Sequence, residues 1–150
     1  MKNIFDLGET TTIINRISKL TPETKQLWGK MDVAQMLAHC NVTYEMVYDD
    51  IHPKPKGFKK TLVKWLIKPT VVGEKTYKKD SGTAPQFKIK GDKNFEAEKK
   101  RLIDHITKTQ ELGESHFNNK DSHSFGPLTS QEWNNMFYKH LDHHLSQFGV

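Results

Sequence analysis

The sequence contains a single cysteine, Cys40, among its 150 residues. An internal disulfide framework is therefore excluded, and one thiol suits a reducing compartment. The sequence also lacks a run of about 18 apolar residues, and its first residues lack the apolar stretch of a secretory signal. These absences predict a soluble, cytoplasmic protein. Cys40 falls on an apolar helical stripe, so we interpret it as a small buried hydrophobe; a catalytic thiol is the alternative.

Arginine is absent between residues 17 and 100, although this stretch contains most of the lysines. Residues 54–93 hold twelve lysines and three acidic residues, whereas the remainder holds eleven basic and fifteen acidic residues. Lysines interleaved with Trp65, Tyr77 and Phe87 are compatible with single-stranded nucleic acid, and a basic amphipathic helix is compatible with a membrane surface. The lack of arginine, and the need for these aromatic residues in packing, argue against both partners.

Four amphipathic patterns predict long helices, over about 10–20, 32–50, 93–112 and 129–148. A short basic helix is predicted over about 58–67, ended by Pro69, within a long connection rich in lysine, proline and glycine. Strand signals are poor, and the segment after Gly113 has the composition of a polar loop. The expected fold is a single all-α domain spanning 1–150. It is a four-helix bundle with a long lysine-rich crossover between the second and third long helices.

Two histidines lie in the centre of the apolar face of the last predicted helix. At about 100° per residue, Trp133, Phe137, His140, His144 and Phe148 form one stripe. Side chains at i and i+4 have Cβ atoms about 5–6 Å apart, so His140 and His144 can converge on one metal ion. Buried imidazoles need partners for both ring nitrogens, and a shared ion meets that need.

A third imidazole is available from another predicted helix. His39 lies beside Met36 at the edge of the apolar stripe of the second long helix, which makes it a candidate ligand. Three neutral imidazoles bind Zn²⁺ or Ni²⁺ well and leave one coordination position open to water or a substrate atom. An open position indicates catalysis. The alternative is an HxxxH pair that arose by chance, in which the histidines only satisfy one another in the core.

Three segments carry a resemblance to a known family: WGKMDVAQMLAHC, SFGPLTSQEW and YKHLDHHLSQFG. Together they resemble the DinB superfamily, specifically a branch catalogued as a domain of unknown function, over nearly the whole chain. The resemblance implies an up-down-down-up four-helix bundle that is often dimeric, so a homodimer is compatible with it. It also implies a metal held by one histidine of the second helix and the HxxxH pair of the fourth, which are His39, His140 and His144.

The same resemblance implies a class of chemistry. In the family the metal is commonly zinc or nickel, and characterised relatives are thiol-dependent transferases or isomerases that use bacillithiol, mycothiol or glutathione. We therefore expect a small-molecule substrate, with activation of either a low-molecular-weight thiol for transfer or water for hydrolysis. His143, His123 and Tyr44 are candidates for orienting the ligands or the substrate. The alternative is a non-enzymatic protein that binds a small molecule or an acidic partner.

Overall fold

The computed structural model describes residues 1–49 and 51–150, with the backbone alone at positions 59 and 60. This part of the chain is mostly helical and contains these elements: α1 (Leu7–Ser18), α2 (Val33–Tyr48), α3 (Gly57–Leu66), α4 (Lys68–Val72), a 3₁₀ turn (Pro85–Phe87), α5 (Phe95–Phe117), β1 (Lys120–Ser122), β2 (Gly126–Leu128) and α6 (Ser130–Gln147). None of the described helices combines the length and the apolar character required to cross a bilayer.

The helices that carry the three histidines begin where the sequence predicts, because each has a capping box. The Asp32 side chain accepts a hydrogen bond from the Gln35 N–H at 2.8 Å, and the Gln35 side chain accepts one from the Asp32 N–H at 3.2 Å. Thr129 and Glu132 form the equivalent pair at the start of α6. Each box satisfies two backbone N–H groups that have no partner inside the helix.

Several predicted boundaries differ from the structure, and one cannot be compared with it. α1 begins before the predicted residue 10, because Asp6 is its N-cap and accepts a hydrogen bond from the Glu9 N–H at 3.0 Å. Pro69 does not end a helix but lies in the first turn of α4, where its missing N–H costs no hydrogen bond. The predicted end of the second long helix, at Asp50, lies outside the described residues.

The segment predicted as a polar loop contains the largest departure from an all-α fold. The helix breaks at Gly113, which has φ 74° and ψ 169°, and a short helical segment follows as far as Phe117. β1 and β2 then form a two-stranded antiparallel sheet in which Ser122 pairs with Gly126. The Ser122 hydroxyl donates a hydrogen bond to the Gly126 carbonyl at 2.8 Å. Strands of three residues are too short to produce a recognisable alternation in the sequence.

One apolar cluster lies between the long helices. α5 packs against α1, α2 and α6, and α2 and α1 also pack against α6. The largest fully buried side chains of this cluster include Trp133, Phe117, Phe137, Tyr44, Ile13, Ile17, Met36, Leu37, Leu102 and Ile106. Ile51 lies beyond the end of α2 and is 65% exposed.

The cap of α6 can be tested by removing its side-chain oxygen. Thr129→Ala is expected to lower the free energy of unfolding by about 1 kcal/mol, because the Glu132 N–H loses its acceptor. The measurement is urea unfolding followed by circular dichroism. Thr11→Ala, at an exposed position inside α1, is the matched control, and an equal loss in both variants would contradict the capping role.

Candidate metal centre

Three histidines from two helices meet at one point of the structure. His39 comes from α2, and His140 and His144 come from α6. Their ligand atoms all lie within 4.8 Å of one another, and Nε2 of His39 is 3.0 Å from Nε2 of His140. The ring centroid of His144 is 4.5 Å from that of His39 and 4.8 Å from that of His140. Such a group can hold a metal ion.

A backbone carbonyl fixes the tautomer of His39. Its Nδ1 lies 2.8 Å from the carbonyl oxygen of Phe87, at the end of the 3₁₀ turn. A carbonyl only accepts hydrogen bonds, so Nδ1 carries the hydrogen and Nε2 keeps its lone pair. That lone pair is on the nitrogen that faces His140.

A side-chain amide fixes the tautomer of His144 in the same way. The Gln147 amide donates from Nε2 to the Trp28 carbonyl at 2.8 Å, which leaves its Oε1 facing His144 Nδ1, also at 2.8 Å. Nδ1 of His144 therefore donates, and Nε2 keeps the lone pair. Gly29 allows this contact, since a Cβ at this position would lie 2.4 Å from Gln147 Nε2.

The third imidazole has a partner that permits either tautomer. His140 Nδ1 is 3.0 Å from the Thr43 hydroxyl, which can donate or accept. If Thr43 accepts, His140 Nε2 has a lone pair like the other two. If Thr43 donates, His140 Nε2–H donates to His39 Nε2 across the 3.0 Å separation. The arrangement can thus serve either a shared cation or a closed hydrogen-bonded cluster.

Burial keeps all three rings neutral at physiological pH. His39 and His144 are buried and His140 is half-buried. Loss of hydration disfavours the imidazolium form, which lowers the pKa of His39, lowers that of His140 well below its usual range, and lowers that of His144 to about 3. The proximity of the rings to one another adds to the effect at His140 and His144. Neutral imidazole is the form that binds metals.

A cleft of about 610 Å³ lies beside the three histidines. Its lining includes two residues that touch the cluster: Tyr77, whose ring meets His140 edge-on at 6.4 Å between centroids, and His143, whose ring is 5.0 Å from that of His144. Trp28 and Lys139 also line it. The volume is within the range of small-molecule pockets.

The three predicted accessory residues lie in different places. His143 lines the cleft and contacts Trp28, Tyr77 and His144 through its ring. The Tyr44 ring stacks on Phe137 at 5.2 Å, and its buried hydroxyl has no hydrogen-bond partner among the described residues.

His123 is held away from the cluster by two hydrogen bonds. Its Nε2 is 3.0 Å from the His52 carbonyl, and its Nδ1 is 2.8 Å from the Ser124 hydroxyl. The structure thus brings His143 to the three histidines and places His123 beside the segment that follows α2.

A family model described as "Protein of unknown function (DUF1569)" matches residues 2–149. The chain belongs to the DUF1569 family. No curated protein and no solved structure matches it.

Four further groups act on the histidines of this DUF1569 chain and were not predicted. Thr43 and Gln147 follow His39 and His144 by four and three residues, a spacing that places them on the same helical face and could have indicated them. The carbonyls of Phe87 and Trp28 had no such signal, because a backbone acceptor has no residue type. Cys40 is buried beside Met36, and burial raises the pKa of its thiol, which agrees with the interpretation as a hydrophobe.

Proposed function

We propose that this DUF1569 protein is a divalent-metal-dependent enzyme of the cytoplasm, with His39, His140 and His144 as the metal ligands. The observation that carries the proposal is the orientation of the imidazoles. Nδ1 of each ring is engaged by a separate partner, Nε2 of His39 lies 3.0 Å from Nε2 of His140, and a ligand atom of His144 lies within 4.8 Å of the other two histidines. Partners of this kind orient ligating histidines in metalloproteins.

The donor set fits zinc or nickel. Imidazole nitrogen suits both ions, and three protein ligands leave a position for a substrate atom. Two nitrogens that bind one zinc ion at about 2.0–2.1 Å lie at most about 4.2 Å apart. The 3.0 Å between His39 and His140 satisfies this limit, and a spacing of up to 4.8 Å for the other pairs needs only small side-chain rotations.

The surrounding residues would bind and orient a small molecule. When bound, the metal would supply a Lewis acid able to activate a low-molecular-weight thiol for transfer to an electrophile, or water for hydrolysis. Tyr77 and His143, which line the cleft and contact His140 and His144, would orient the substrate. Asp142, a carboxylate that lines the cleft, is engaged by Arg16 at 2.7 Å and is therefore not assigned as a base.

The architecture that we assign follows the DinB superfamily. α1, α2, α5 and α6 would form the up-down-down-up four-helix bundle of one domain, with residues 49–94 as the crossover. The packing of α5 against α1, α2 and α6, and of α1 and α2 against α6, supports a bundle of these four helices. A homodimer, as in many DinB proteins, is part of the same proposal.

The proposal is tested by metal content. Tag-free protein incubated with Zn²⁺ or Ni²⁺ and then dialysed is expected to retain close to one ion per chain, as measured by elemental mass spectrometry. A ligand that binds only the native state stabilises it by about 2.7 kcal/mol at 100 times its Kd, so the melting temperature should rise with metal concentration. Trace metal with no rise would contradict the proposal.

The 3.0 Å contact between Nε2 of His39 and Nε2 of His140 supports a second candidate, a closed histidine cluster in a protein that binds a small molecule or an acidic partner without catalysis. This candidate predicts stability that is independent of divalent ions. The metal titration therefore separates the two candidates.

Gln147 provides a finer test of the metal site. Gln147→Met removes the acceptor for His144 Nδ1 while nearly preserving side-chain volume, and is expected to weaken metal affinity about 10–100-fold. Competition with a chromogenic chelator measures the affinity. Gln131→Met, on an exposed part of the same helix, is the control, and unchanged affinity in Gln147→Met would contradict the orienting role.

A further inference from the structure

The apolar face of α3 points away from the protein. Phe58 is 82% exposed and Trp65 is 79% exposed, and between them Leu62 is 46% exposed. Residues at i, i+4 and i+7 share one face of a helix, so these three side chains form a continuous apolar strip. Val63, on another side of the helix, is the residue of α3 that packs against the core.

The apolar face of α3 is exposed, whereas most amphipathic helices of soluble domains bury this face. An amphipathic helix in a soluble domain normally buries its apolar stripe and exposes its polar side. Leu66 and Ile67 extend the exposed surface beyond the strip, at 62% and 49% exposed. Contiguous apolar surface of this kind marks an interaction site.

The segment that carries the strip is rich in lysine, and its sequence contains no acidic residue. Residues 51–73 contain six lysines and no aspartate or glutamate. Lys56 and Lys64 are exposed, and Lys68 pairs with Glu132 of α6 at 2.8 Å. The surface that covers α3 must therefore be apolar where it meets the strip and anionic around it.

We propose that α3 binds the surface of anionic membranes, with Phe58, Leu62 and Trp65 inserted at the level of the headgroups. Helices that lie in the membrane interface combine lysines with an apolar side of tryptophan, phenylalanine and leucine. A second copy of the chain fits less well, because a two-fold contact would bring two sets of six lysines together. The exposure of Trp65 also overturns the sequence argument that this residue is required for packing.

The test is flotation of the full-length, tag-free chain with lipid vesicles. Vesicles of phosphatidylcholine with roughly one third phosphatidylglycerol are expected to bind at least about tenfold more protein than vesicles of phosphatidylcholine alone. Raising the salt concentration should weaken binding, because it screens the lysines. Brominated lipids should quench tryptophan fluorescence, and a Trp65→Phe variant should lose that quenching.

Substitutions on the strip test whether its apolar side chains are required for vesicle binding. Phe58→Ser combined with Trp65→Ser is expected to reduce binding at least about tenfold, with an unchanged melting temperature because both side chains lie outside the core. Leu7→Ser, at an exposed apolar position in α1, is the matched control. Absence of vesicle binding by the wild-type chain would overturn the proposal, as would binding that is the same for both lipid compositions. A dimer by light scattering that dissociates in the double variant would overturn it in favour of a second copy.

Discussion

Loss of metal from a His140→Ala, His144→Ala double variant is the largest effect expected in this protein. Two of the three proposed ligands disappear, and His39 alone cannot hold an ion in competition with water. Affinity should fall by more than the 10–100-fold that follows loss of a group that only orients a ligand. Elemental mass spectrometry after incubation with Zn²⁺ or Ni²⁺ should therefore find only background metal.

Two further variants show whether the loss of metal is specific to the three proposed ligands. His116→Ala with His123→Ala removes two histidines that lie outside the cluster, and it should retain the wild-type metal content. His39→Gln tests the ligand from α2 alone, with a side chain of similar size. Wild-type stoichiometry in the variant that lacks His140 and His144 would show that the metal is bound elsewhere.

Acid sensitivity of the metal-free protein is the second large effect. Burial lowers the pKa of His39, His140 and His144, that of His144 to about 3. The unfolded chain, in which histidine titrates near pH 6.5, therefore binds protons before the native state does. The contribution of these neutral histidines to the free energy of unfolding is fully present above about pH 6.5. It is lost as the pH falls toward the pKa values of the folded state. The loss is about 1.4 kcal/mol per pH unit for each such histidine.

Urea unfolding in the presence of a chelator measures this dependence. Between about pH 6.5 and pH 5, each histidine that remains neutral in the native state should lower the free energy of unfolding by about 2 kcal/mol. His144→Asn removes one titrating group and should reduce the slope by up to one proton. His116→Asn, at an exposed position where desolvation and Lys120 lower the pKa of the imidazole, should change the slope less than His144→Asn does, and identical slopes in wild type and His144→Asn would contradict the prediction.

Local signals account for the parts of the fold that the sequence predicted well. The starts of α2 and α6 depend on side chains within one turn, at Asp32 and Thr129, so a short window contains the whole cause. The predicted start of α1 was wrong because the N-cap is Asp6, whose side chain accepts a hydrogen bond from the Glu9 N–H. The hairpin of β1 and β2 was missed because its pairing involves residues on two strands of three residues each.

In the candidate site too, the residues with a local sequence signal were predicted and the others were not. Periodicity placed His140 and His144 on one face of one helix, and the edge of a second stripe indicated His39; the structure brings all three together. The groups that orient the three imidazoles could not be predicted from periodicity. Phe87 and Trp28 act through carbonyl groups from irregular segments, and their positions depend on how the whole chain packs.

The contact between Gly29 and Gln147 extends the site to a residue with no chemistry of its own. Gly29 has φ 85°, and a side chain there would collide with the amide that holds His144. Substitution at position 29 is therefore limited twice, by the positive φ of the turn and by the proximity of the Gln147 amide. A side chain at position 29 would displace the Gln147 amide and with it the hydrogen bond that orients His144, although neither residue is its neighbour in the sequence.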